Sequence, residues 1–301
     1  MPQGLPPLPR SKTNPVGQTR NVEKAFSAIK SGLRDVEKWL LGRFEQIETR
    51  KIELNSVAAG YSVNSTTYEY LISLPELEQI IGELELQLQG LPADDLVEQV
   101  ELSYEAGTAI EVASLQSITD DYQRTLAGVL VSDQYQRRVA FVRARVFEQM
   151  KGFEGETAVD LARVLSSGIQ NGLNPLDVAK TIKERFGVSR SRAERIARTE
   201  IGTAQRQAIW DEDRDANERL GIRTRVLWFS ALSPTTRKTH ARRHGQYYTQ
   251  EEVRDFYGKD GNSINCKCSQ RSVLVDEDGE PLPVNDKLLE RMKDQRKEFD
   301  E

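Results

Sequence analysis

The sequence predicts a mainly α fold: a helical N-terminal region followed by a small α+β C-terminal domain. Three observations carry this expectation. Apolar residues recur at helical spacing through most of the first 220 positions. After Gly221 the pattern shifts to a Val-, Ile-, Thr- and Trp-rich run that reads as a strand. The composition, 30% charged against 38% hydrophobic and 7% aromatic, describes a well-solvated, helix-rich chain with a modest core.

The elements follow in order. Residues 1–18 hold five of the eleven prolines and read as an extended, disordered arm. From Asn21 to about Leu54, Val22, Phe26, Ile29, Leu33, Val36 and Leu40 make one apolar helix face. Residues 55–73 are polar with three tyrosines and read as a loop or hairpin-like break. Pro75 opens a helix that Gly90 ends, and Pro92 with Asp94 and Asp95 opens another reaching about Ser114. Thr119-Asp120-Asp121 is expected to cap a helix to about Met150, and residues 151–155, with two glycines, to break the chain.

A helix from Thr157 to Gln170 is expected next, then one from Asn174-Pro175 to near Gly187. Ser189 with Glu194 reads as a capping box for a long helix to about Leu220. Its inward residues, Ala193, Ala197, Ile201, Ala204 and Ala208, are small and predict close packing on a neighbour. Beyond Gly221, a strand over Ile222–Phe229, a turn with Ser233-Pro234, a short helix near Gln250–Phe256 and a last strand over Arg271–Val275 complete the α+β region. The tail from Asp276 is acidic, with a helical stretch near Lys287–Lys297. The expected organisation is thus an arm at 1–18, a helical region at 19–187, an α+β domain at 188–275 and a tail at 276–301.

No apolar run approaches the roughly 18–20 residues that cross a bilayer, and residues 1–10 lack the apolar stretch of a signal peptide. Two cysteines make no disulfide scaffold, which points to a reducing compartment. Phosphate-binding loops, G-x-S-x-G and H-E-x-x-H are all absent. The net charge of -5 is unevenly spread: residues 183–243 carry 15 basic against 8 acidic side chains, while both flanks are acidic. Arg190, Arg192, Arg195, Arg198, Arg237, Lys238, Arg242 and Arg243 are therefore candidate polyanion contacts, although interleaved carboxylates would cancel much of the field.

The chain's two histidines and two cysteines all fall between His240 and Cys268. They are written His240-Ala-Arg-Arg-His244 and Cys266-Lys-Cys268. On a helix, a His-x3-His pair shares one face, and imidazole nitrogen and thiolate sulfur are preferred zinc ligands. The functional reading is a structural zinc clasp made by His240, His244, Cys266 and Cys268. Polar surface histidines with reduced loop thiols, or a transient disulfide, stand beside it.

Several pieces appear in order: Ala197-Arg198-Thr199-Glu200 in a long helix, the Gly221 stop, a strand ending at Trp228, His240-Ala-Arg-Arg-His244-Gly245, and Asn265-Cys266-Lys267-Cys268 before a final strand. Together they resemble the phage Mu F-like head-morphogenesis family, minor capsid proteins made beside the portal. The family usually has Asp where this chain has His244, and Pro-rich residues where it has Ser263-Ile264. His240, Cys266 and Cys268 fall on family positions. The resemblance implies a phage minor head protein of the virion, at the capsid interior or portal vertex and in the host cytoplasm during assembly. Its implied partners are the portal and the major capsid or scaffold proteins, with packaged DNA as a further contact. The implied role is structural rather than enzymatic. The alternative from the residues is a nuclease or toxin-like phosphodiesterase using His240 and His244 with Arg237, Lys238, Arg242 and Arg243.

Overall fold

A computed structural model describes residues 5–58, 61–282 and 286–300. The fold is mainly α. Helix α1 (Thr19–Glu45) leads to a hairpin of β1 (Thr49–Ala58) and β2 (Tyr61–Tyr70), antiparallel from Thr49↔Tyr70 to Ala58↔Tyr61. Helices α2 (Leu74–Gln89), α3 (Asp94–Ile118), α4 (Leu126–Leu130), α5 (Asp133–Gln170) and α6 (Pro175–Leu220) follow. Then come β3 (Thr224–Phe229), α7 (Lys238–Ala241), β4 (Tyr247–Tyr248), α8 (Gln250–Gly258), β5 (Ser269–Leu274) and α9 (Asp286–Asp300). Strands β4, β3 and β5 form an antiparallel sheet in that order, with Val226 opposite both Tyr248 and Ser272. Among the described residues, no helix is long and apolar enough to cross a membrane.

Two compact units are built from interleaved stretches. One comprises Met1–Ala25, Leu96–Val146 and Arg195–Glu301; the other comprises Phe26–Asp95 and Phe147–Glu194. In the first unit, alternate residues of β3 serve two cores, as a pleated strand requires. Val226 and Trp228 pack with Ile209, Trp210, Val253, Tyr257, Cys266 and Cys268. Leu227 and Phe229 pack with Val273, Leu288 and Met292, so the helix of the acidic tail covers the opposite face of the sheet. Small residues bring α3 and α6 together, as expected. A Cβ added at Gly107 would lie 2.3 Å from the Gln205 carbonyl oxygen and 2.8 Å from Ala208 Cβ.

Several elements differ from expectation, each for a physical reason. Helix α1 stops at Glu45, and the polar segment, expected as a loop or hairpin-like break from residue 55, is a hairpin that begins already at Thr49. The expected helix over residues 119–150 is divided. Thr119 folds into a side-chain turn with Asp121, buried Tyr122 donates to Glu212 at 2.5 Å, and Thr125 caps the short α4. Helix α5 then runs straight through the expected break at residues 151–155. Gly152 and Gly155 sit where an added Cβ would meet nothing within 4 Å, while Met150, Phe153, Thr157 and Leu161 keep a continuous buried stripe. Helix α6 likewise passes Gly187 and the Ser189 box without ending. Val178, Ile182, Phe186, Ser189, Ala193 and Ala197 are all buried at three- and four-residue steps.

The Pro-rich arm, expected to be disordered, lies against the first unit over residues 5–18. Val16 is buried and its N–H bonds to the Lys267 carbonyl at 3.1 Å. Leu232 N–H bonds to the Lys12 carbonyl at 3.2 Å, and Arg271 Nε to the Pro7 carbonyl at 2.5 Å. These pairings satisfy backbone groups that a proline-rich segment cannot satisfy internally.

Candidate metal centre and the cationic cavity beside it

Three segments of the first unit converge on one point. The turn after β3 is closed by Thr236, whose Oγ1 donates to the Ala231 carbonyl and accepts from Ser233 N–H. It delivers the chain into α7, which carries His240 inward to 2% exposure. The second segment is the loop after α8. Arg237 ties it down, donating to the carbonyls of Gly261 at 2.8 Å, Asn262 at 3.3 Å and Ile264 at 2.6 Å. The third is α6, whose Thr199 Oγ1 accepts from Asn265 N–H at 3.0 Å while Arg198 donates to Asn265 Oδ1 at 3.0 Å. Asn265 itself has a φ of 56°, a left-handed conformation that asparagine tolerates better than most residues. That turn points the next residues, Cys266 and Cys268, into the core.

His240, Cys266 and Cys268 form a buried trio whose ligand atoms lie within 4.8 Å of one another. His240 Nδ1 is 3.5 Å from Cys266 Sγ and 3.6 Å from Cys268 Sγ. Zinc distances of about 2.3 Å to sulfur and about 2.0–2.1 Å to nitrogen place the S···N edge of a tetrahedral site at about 3.6 Å. The imidazole tautomer also suits a ligand. Asn262 Nδ2 donates to the Phe256 carbonyl at 2.9 Å, so its Oδ1 accepts from His240 Nε2 at 3.3 Å. That leaves the Nδ1 lone pair facing the sulfurs.

The charge around the trio points the same way. Arg206 is 1% exposed, its guanidinium lies 4.5 Å from the Tyr257 ring centre, and its Nε and Nη1 have no hydrogen-bond partner. A buried guanidinium requires nearby negative charge, and Cys266 is the sulfur whose shift Arg206 favours. The Cys266 thiol is held well below the usual thiol range by its hydrogen bond with Cys268, with His240 and Arg206 adding to the effect. That hydrogen bond and burial push Cys268 well above the range. Tyr257 Oη and Ser230 Oγ each lie 3.5 Å from one sulfur, completing the surround.

His244 does not join the trio. Its Nδ1 accepts from Ser230 N–H at 3.0 Å and its Nε2 meets Gln295 Oε1 at 3.2 Å, so it links the end of β3 to α9. Burial lowers its pKa to about 4.

The eight basic candidates are not one surface. Arg190 and Arg192 belong to the second unit and pair with Glu37 and Glu156. Arg243 stacks on aromatic faces, with its guanidinium 3.9 Å from the Phe256 ring centre and 4.4 Å from that of Tyr248. Lys238 and Arg242 are exposed. Arg195, Arg198 and Arg237 do converge, and with Lys267 they line a cavity of ≈ 680 Å³ whose wall also includes the trio. Sequence reasoning missed Asn262, Arg206 and Lys267. Lys267 sits between the two cysteines and was visible in principle, whereas Arg206 and Asn262 are recognisable only through their contacts.

Comparison with known proteins adds two findings. A curated relative, NAD(+)--arginine ADP-ribosyltransferase EFV of Enterococcus faecalis (strain ATCC 700802 / V583), is 26% identical over 140 residues, covering 43% of this chain. The chain spans only 28% of that relative's length. No solved structure matches. The segment that builds both the trio and its cavity, residues 160–271, matches the family described as Phage Mu protein F like protein.

Proposed function

We propose that this chain is a phage minor head protein acting in head morphogenesis, bound to the portal or the procapsid interior and released with the DNA. The observation that carries the reading is the family match over residues 160–271, the stretch that contributes the trio and the cavity. Its partners are then the portal and the major capsid or scaffold proteins, with packaged DNA as a further contact. Its place is the virion, after assembly in the host cytoplasm. The interleaved units, the seated arm and the covering tail helix suit a protein that works through surfaces.

The test is quantitative mass spectrometry of nuclease-washed particles from the phage that encodes the chain. A few to a few tens of copies per head, varying with the portal, is the expected result. Heads and procapsids without the chain would overturn the reading.

Within this role the trio is proposed to hold one structural zinc through His240 Nδ1, Cys266 Sγ and Cys268 Sγ. When bound, the ion supplies a cross-link among three segments, and its binding free energy adds to folding. Elemental analysis of the purified chain should give one zinc per chain. Cys266→Ser should lose it and melt at a lower temperature, with stability reduced by about 4 kcal/mol if free zinc stands near 1,000 times Kd. A wild-type protein without metal, whose melting a chelator leaves unchanged, would remove the zinc.

The phosphodiesterase alternative is weaker. His244 is engaged with Ser230 and Gln295, Arg237 with loop carbonyls and Arg243 with aromatic rings, so the groups it needs are already occupied. The stretch shared with the ADP-ribosyltransferase covers 28% of that protein, too little to carry its activity to this chain.

A further inference from the structure

We infer that the cavity beside the trio is a binding site for phosphoryl groups. Several arginines of the first unit find carboxylates: Arg124 meets Glu212, Arg138 meets Asp215, Arg145 meets Glu200 and Arg214 meets Asp211. Arg195, Arg198, Arg237 and Lys267 line the cavity from three separate stretches, and Asp260 is the one carboxylate among its lining residues. Arg195 and Lys267 make no salt bridge among the described residues. A concave wall on which cations outnumber carboxylates four to one focuses the field and attracts an anion.

Two of the cations are already held in place. Arg198 is fixed on Asn265, and Arg237 on the carbonyls of the loop. Less side-chain freedom is therefore lost when an anion arrives. The hydroxyls of Ser233 and Thr235 line the same space and add neutral hydrogen-bonding groups. Asp260 at φ 52°, Gly261 at φ 62° and Asn265 at φ 56° put three left-handed backbone conformations into one cavity wall. The ≈ 680 Å³ volume lies within the range of small-ligand sites. The shared chemistry is the phosphoryl oxygen. Its source is either a nucleic-acid backbone or a free phosphorylated solute. The inference stands apart from the metal, and it rests on the proposed head role only for the nucleic-acid source.

The test uses the full chain. Pyrophosphate binding is measured by calorimetry, and binding of a labelled 20-base-pair duplex by fluorescence anisotropy across a salt series. The double variant Arg195→Ala/Lys267→Ala removes two cavity cations that make no salt bridge and do not tie down the loop. The double variant Lys238→Ala/Arg242→Ala removes two exposed cations outside the cavity. Melting temperature and zinc content report whether each variant keeps its fold and trio. The cavity variant is expected to weaken binding at least tenfold, and to lower the duplex salt slope by about two for two lost phosphate contacts. The control should bind like wild type.

Pyrophosphate binding with no duplex binding would support the site and assign it to a free solute. Duplex binding that pyrophosphate displaces would assign it to a nucleic-acid backbone. Neither ligand binding, or equal binding by the cavity variant, would overturn the inference. Equal losses in both variants would also overturn it, by showing a diffuse basic surface. Virion mass spectrometry is unaffected by any of these outcomes, so the two readings fail separately.

Discussion

His240 and His244 stand four residues apart in one short motif, yet they do different physical work. The expected shared helix face requires a helix spanning both, and α7 ends at Ala241 with Arg242 as its C-cap. His240 therefore faces the two sulfurs and His244 turns toward Ser230 and Gln295. Because His244 is buried and neutral, its folded pKa of about 4 lies below the unfolded value near 6.5. The unfolded chain binds the proton first. Its contribution is thus complete above about pH 6.5 and is lost as pH falls toward 4, by about 3 kcal/mol at most. Urea unfolding from pH 7 to 4 should show this slope, and His244→Gln should remove most of it. An unchanged slope in the variant would place the pH dependence elsewhere. At this scale the sequence points to four ligand candidates, because scarce residue types cluster, and three of them meet. It could not point to Asn262 or Arg206, which are ordinary residues until a fold sets them against His240 and Cys266.

Helices α5, of 38 residues, and α6, of 46, are each longer than the sequence suggested. Glycine is a weak local signal, costing about 0.5–1 kcal/mol in a helix, and a buried face of several large residues overrides it. The unbroken stripe through Phe186, Ser189 and Ala193 marks the longer helix, and local turn and cap signals obscure it in the sequence. Because an added Cβ at Gly152 or Gly155 meets nothing, Gly152→Ala and Gly155→Ala should each stabilise the protein by about 0.5–1 kcal/mol. A rise of a few degrees in melting temperature for the pair is the expected readout. Destabilisation instead would mean that the chain needs a break there. The strands were easier to read, since the period change after Gly221 and the Val, Ile and Trp content both survive in β3.

At the scale of the whole chain, mainly α content and a mixed C-terminal region were legible, because periodicity and composition report them directly. The interleaving of the two units was not, since pairings between distant stretches leave no local mark. The arm was misread because proline content signals missing internal hydrogen bonds, and those bonds are supplied here by Lys267, Leu232 and Arg271. Removing residues 1–18 takes away the buried Val16 and these three bonds. The expected effect is a loss of about 3–5 kcal/mol and a lower melting temperature by calorimetry. Unchanged melting would show that the arm adds nothing to the folded state.

The bond between Pro7 and Arg271 also sets an order of events during synthesis. Its partners are 264 residues apart, so the arm leaves the ribosome long before the strand that receives it exists. Loop closure over such a span is slow relative to helix formation. The helices therefore have time to form first, and the arm closes onto the sheet as a late step. Until then the nascent chain presents an open flank on its last-made strands, and encounters with other proteins at that flank fall in the interval before closure.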